Sequence, residues 1–146
     1  MTTTNHRPRP AHTRAVHRVP FLRVLFGGMF ALGAGIHVYL ASVAPHVYAT
    51  FADAALLTFV RSAWSTVVGT HATLPMLALA AFELAAGLLV LFGRRRHRLV
   101  GTALMIAFHL ALMLFGWGFW LWCVPALVLL GVLFDGIRTQ ETGKAA

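Results

Sequence analysis

The stretch "LPMLALAAFELAAGLLVLFGRRRHR", residues 74–98, is apolar for most of its length, carries one glutamate, Glu83, in the middle, and ends in Arg94, Arg95, Arg96 and Arg98. A helix needs about 20 apolar residues to cross the ~30 Å hydrocarbon core of a bilayer. This stretch has that length, and the arginines mark where it leaves the membrane.

The rest of the chain supports the same solvent. Of 146 residues, 59% are hydrophobic and 11% charged, and the mean hydropathy is +0.77. A water-soluble domain of this size could not bury so much apolar surface. Four segments reach spanning length, at about 21–42, 72–92, 99–116 and 118–136. The expected fold is therefore all-α: a four-helix transmembrane bundle over 21–137, between a disordered basic tail (1–20) and a short tail (138–146). The first apolar segment is too long for the core of a signal peptide and lacks a well-placed small-x-small site, so it is read as a span.

Charge sets the orientation. Arg7, Arg9, Arg14, Arg18 and Arg23 precede the first span, the four arginines of 94–98 join the second to the third, and Arg138 and Lys144 follow the fourth. With four spans all of these fall on one side and Arg61 alone on the other, which predicts both termini in the cytoplasm of a multi-pass (inner) cell-membrane protein. The net charge of +8 is then a matter of topology. Without an aromatic-interleaved basic surface, no nucleic acid is expected as a partner.

Between the first two spans, residues 43–71 contain Asp53 and Arg61 and lack a long apolar run. On a helical wheel Leu56, Phe59, Val60, Ala63, Trp64 and Val67 share one side, predicting an additional helix along the outer interface or over the bundle mouth. In the first span Gly27, Ala31 and Gly35 recur every fourth residue, a spacing that predicts a helix-packing seam. Trp117, Phe119, Trp120 and Trp122 at the outer turn fit an interfacial aromatic belt, with a stacking platform for a flat ligand as the alternative. Pro125 falls inside the fourth span. Cys123, the single cysteine, permits no disulfide within the chain and fits a small buried residue.

Glu83 lies about ten residues, or ~15 Å, from either end of its helix. A carboxylate at the midplane is costly unless paired, protonated, hydrated or used. His109 sits at matching depth in the third helix and is the expected partner; His37 lies nearer the outer end of the first. Three readings stay open: a hydrogen-bonded pair that only fixes helix register, a polar floor to a cavity that binds a quinone or relays a proton, and His37 with His109 as axial haem ligands.

"GGMFALGAGIHVY" (27–39) and "FELAAGLLVLFGRRRHRLVG" (82–101) together resemble the DoxX-like family of small four-helix membrane proteins. The matching motifs are G-x-x-x-L-G-x-G with the polar His37 one turn after Gly33, and E-x-x-x-G-x-x-L-x-x-G formed by Glu83, Gly87, Val90 and Gly93, where Val90 departs from the pattern. The resemblance implies a four-helix membrane fold and, in some members, a part in quinone-linked redox systems. It points to Glu83 and His37 as site residues, with Gly87 a packing residue of the motif. The expectation is a small subunit or accessory factor of a membrane redox system, with a structural or scaffolding subunit as the alternative. A membrane-protein partner or a second copy would accompany it. A quinone is the cofactor class admitted; neither haem nor a metal site is expected.

Overall fold

In the computed structural model, residues 12–139 are described, and every regular element among them is helical. The elements are α1 (His12–Val43), α2 (Phe51–Ala54), α3 (Thr58–His71), α4 (Thr73–Phe92), α5 (Arg95–Leu112) and α6 (Trp117–Thr139). A 3-10 helix, Pro45–Thr50, precedes α2, and a second, Met113–Phe115, prolongs α5. Four helices, Arg18–Val43, Thr73–Phe92, Arg95–Phe115 and Trp117–Thr139, are long and apolar enough to cross a membrane. This is an all-α bundle suited to a lipid bilayer.

The boundaries differ from the sequence expectation at the ends. Helix α1 begins at His12, inside the segment expected to be a disordered tail. Once a long apolar helix exists, each further residue adds one hydrogen bond at little nucleation cost, so the helix extends past the hydrophobic boundary and through Pro20. Helix α6 likewise continues to Thr139. Residues 1–11 and 140–146 of the two expected tails lie outside the described residues.

The helices close into a ring, α1 against α4, α4 against α5, α5 against α6, and α6 back against α1. Phe26, Phe30, Val90, Met105, Leu130 and Leu133 fill its centre toward the arginine-bearing end. The closest approach is between α1 and α4: a Cβ added to Gly87 would lie 2.8 Å from the Gly27 carbonyl oxygen and 3.1 Å from the Ala31 nitrogen. Backbone touches backbone there, as small residues permit in membrane helices.

The expected seam is corrected at its last member. Gly35 is exposed, with nothing near its missing side chain, whereas Gly33 packs on the Glu83 carboxylate: a Cβ added at Gly33 would lie 3.1 Å from Oε2. Four-residue steps advance roughly 40° past a full turn each time, so Gly27, Ala31 and Gly35 drift off the contact face. The buried residues of α1 are Leu22, Phe26, Phe30 and Ala34, four apart on the neighbouring row, and then Ala41 seven residues on.

Residues 45–71 form a strap of short elements ending in α3. Leu56, expected on the helix, lies before it and donates its backbone N–H to the Leu114 carbonyl at 2.9 Å. On α3 Val60 and Val68 are buried and Trp64 partly buried, while Phe59, Ala63 and Val67 of the predicted face are exposed. Arg61 is exposed and donates through Nη2 to the Asp53 carbonyl at 3.1 Å. The strap meets the α5–α6 turn at Gly116, whose φ of +119° suits glycine. Any Cβ there would also lie 2.7 Å from the Ala54 carbonyl oxygen.

Candidate functional site

Helix α4 carries Glu83 to the interior, 5% exposed. Its partner is His37: the His37 Nε2 lies 3.5 Å from Glu83 Oε1. The other His37 ring nitrogen, Nδ1, is 2.7 Å from the Tyr48 hydroxyl oxygen. The arrangement that satisfies all three groups has Tyr48 donating to Nδ1 and the Nε2–H aimed at the carboxylate. The 3.5 Å separation exceeds a direct hydrogen bond, so Glu83 and His37 are held close but not locked. The second carboxylate oxygen, Oε2, is buried without a hydrogen-bond partner.

The expected Glu83–His109 pair does not form. His109 is buried at 2% exposure, but its Nδ1 is 2.8 Å from the Met105 carbonyl of its own helix, and its ring packs against Phe30 and Phe108. Equal depth is one coordinate; the direction a residue faces around its helix is the other, and it turns His109 into the aromatic layer. The structure thus brings together Glu83 and His37, and leaves His109 in the core. For the axial-ligand reading, each ring would need a free nitrogen, yet both nitrogens of His37 face a polar partner.

Tyr48 was not marked by the sequence. It lies in the Pro45–Thr50 3-10 helix, 3% exposed, with its carbonyl accepting from Trp64 Nε1 at 2.7 Å. The strap therefore positions the hydroxyl from above while α1 and α4 supply the imidazole and carboxylate. Burial pushes the Tyr48 hydroxyl above its ordinary pKa, and the negative charge of Glu83 adds to the shift. The only hint in the sequence is a tyrosine between Pro45 and Phe51 in a segment without helical periodicity.

These three groups form the polar end of a cavity of about 430 Å³, walled otherwise by apolar and aromatic side chains such as Phe51, Trp64, Leu79, Phe108 and Trp122. Phe51 packs on Phe119 at 5.9 Å between centroids, and Trp64 meets Phe115 edge-on at 4.7 Å. The aromatic group at the α5–α6 turn is thereby divided. Phe119 and Trp122 line the cavity. Trp120 donates through Nε1 to the Met113 carbonyl at 2.9 Å and packs at a tilt against the exposed Trp117. Cys123 is fully buried. Among the described residues, no group of three or more His, Cys, Asp or Glu side chains converges as a metal site would require. Compared with known protein families, with curated proteins and with solved structures, the chain returns no match, and the DoxX-like resemblance rests on its two motifs.

Proposed function

We propose that the protein is a multi-pass cell-membrane subunit that holds a flat, carbonyl-bearing lipophilic ligand of the quinone class, as an accessory factor in membrane redox chemistry. The observation that carries this reading is the unpartnered Glu83 Oε2 at the polar end of an otherwise apolar, aromatic-walled cavity. A volume of about 430 Å³ lies within the range of small-molecule sites, which combine apolar walls with a few placed polar groups. On binding, a proton taken up at Glu83 Oε2, with the His37–Tyr48 pair as its route, would be donated to a ring carbonyl. In this reading the arginine end faces the cytoplasm, as the eleven-to-one division of basic residues favours, and the DoxX-like motifs agree with a quinone-linked role.

The scaffolding alternative draws on the same Glu83–His37 contact, since it ties α1 to α4. Gly27 and Gly87 already hold those helices together through their backbones, however, and a purely structural pair would leave no orphaned oxygen. The test is a titration of detergent-purified protein with a short-chain ubiquinone analogue, read by quenching of tryptophan fluorescence, because Trp64 and Trp122 line the cavity. Saturable quenching is expected in the wild type. It should weaken about tenfold in Glu83→Leu, which removes every hydrogen-bonding atom of that side chain, and vanish in Leu79→Trp, which fills the cavity. Equal quenching in all three proteins, with helix content retained, would refute the reading.

A further inference from the structure

Beside the cavity an open groove of about 380 Å³ runs between α3 and the start of α4. Four side chains, Trp64, Met76, Leu79 and Phe115, line both the cavity and the groove. The two volumes therefore meet at one shared wall. Two members of that wall are pinned: Trp64 donates through Nε1 to the Tyr48 carbonyl at 2.7 Å and meets Phe115 edge-on, with 4.7 Å between ring centroids. The other two are Met76 and Leu79, and an unbranched methionine adapts its shape to a neighbour at low cost.

The cavity ends in Glu83, His37 and Tyr48, whereas the groove has no polar end. Among the described residues that line it, Trp64 carries the one side-chain N–H or O–H, and Tyr48 already accepts that hydrogen. A polar group placed there would lose its hydration without replacement, so the groove suits hydrocarbon. Its rim leads outward. Phe59 and Val67 are 68% and 56% exposed, and Ala63, midway between them on α3, is exposed as well. This apolar row flanks the buried Val60 and Val68 on one side, and the exposed Arg61 and Ser65 flank them on the other. A helix divided in this way suits the bilayer interface, with its apolar row toward the acyl chains.

We infer that the groove holds the hydrocarbon tail of the ligand whose ring occupies the cavity, so that the ligand is a membrane lipid that enters from the bilayer past α3. The inference rests on the quinone-class reading of the cavity and narrows it to ring compounds that carry a long alkyl or prenyl chain. A polar chamber joined through one wall to an apolar trough matches a molecule with a polar head and a plain tail. A phospholipid acyl chain could lie in the same trough, but its presence there would not depend on what fills the cavity.

The experiment adds a ubiquinone analogue with a photoreactive diazirine on its alkyl tail to the protein in phosphatidylcholine nanodiscs, and maps the labelled residues by peptide mass spectrometry after irradiation. Labelling is expected within residues 59–79 and should disappear when excess tailless ubiquinone fills the cavity. Ala63→Phe narrows the groove at an exposed position that does not line the cavity. It should lose most of the labelling yet keep the tryptophan quenching by tailless ubiquinone. Ser62→Phe, outside the groove, should keep both. Labelling of another segment that the competitor abolishes would overturn the inference while leaving the ring site standing. Labelling of 59–79 that the competitor does not reduce, or that Ala63→Phe leaves unchanged, would overturn it too, because the tail would then be behaving as bulk bilayer hydrocarbon. If tailless ubiquinone neither quenches nor competes anywhere, the cavity reading itself fails and the inference falls with it. Should Ala63→Phe not assemble, the wild-type map and its competition decide.

Discussion

Around Met105, Leu130 and Leu133, the space between α1, α4, α5 and α6 is filled by side chains that are wholly buried; around Met76 and Leu79, the same bundle leaves about 430 Å³ open. Both regions are built from apolar residues on the same helices. The difference lies in what covers them. In the filled half, glycines let backbones meet, Gly27 on Gly87 and Gly101 near the Ala86 carbonyl. In the open half the strap of residues 45–71 places Tyr48 and Trp64 on the cavity wall. Because lipid tails are as apolar as leucine, helices in a membrane gain from close packing more than from leaving their solvent. An unfilled volume therefore forgoes contacts, and it is retained where Glu83, His37 and Tyr48 converge.

The comparison can be broken most directly by truncating one side chain in each region. Met105→Ala should lower unfolding stability by about 2–5 kcal/mol, since a buried contact set is lost and the close-packed surroundings relax only in part. Leu79→Ala, on a wall that already borders open volume, should cost well under half as much. Equal losses in detergent unfolding would mean that the cavity is packed as tightly as the core. The glycines give the next largest effect. Gly87→Ala should destabilise by about 1–3 kcal/mol, because its methyl would meet the Gly27 backbone. Gly35→Ala, with open space around it, should be neutral or gain up to about 1 kcal/mol from improved helix propensity.

The smallest effect sharpens the polar end. Tyr48→Phe should cost about 1 kcal/mol through loss of one hydrogen bond. In the Tyr39→Phe background, Tyr48 is the remaining tyrosine, and its ultraviolet titration should occur above the ordinary value near 10.0. The unfolded chain then loses its phenolic proton first, so stability should fall as pH rises through 10.0 toward the folded pKa. Adding Glu83→Gln should move the titration part of the way back. A titration at the ordinary value would place the hydroxyl in a wetter, less charged setting than the fold describes.

What the sequence disclosed was position along each helix. Apolar runs of spanning length marked four helices, and a lone Glu83 within one of them marked the depth of the polar layer. Which face a residue takes was harder to read: Gly35 is exposed although Gly27 is buried, and His109 packs against Phe30, neither of which follows from position along the helix. His37 stood out through the motif resemblance more than through its depth. Tyr48 was hidden for another reason: a 3-10 helix under a strap has no periodicity to display, and its hydroxyl reaches the site only after the chain folds back over the bundle mouth.

Helix α1 is 32 residues long, which at 1.5 Å per residue is roughly 48 Å, against a hydrocarbon thickness of ~30 Å. Such a mismatch is met by tilting or by standing proud of the bilayer. Pro20 falls in the surplus, where the N–H it lacks frees a carbonyl one turn earlier at a depth that water and headgroups can reach. Membrane thickness thus becomes a variable for this protein: a thicker bilayer draws α1 more upright and a thinner one leaves more of it protruding, while the Gly27–Gly87 contact carries α4 with it.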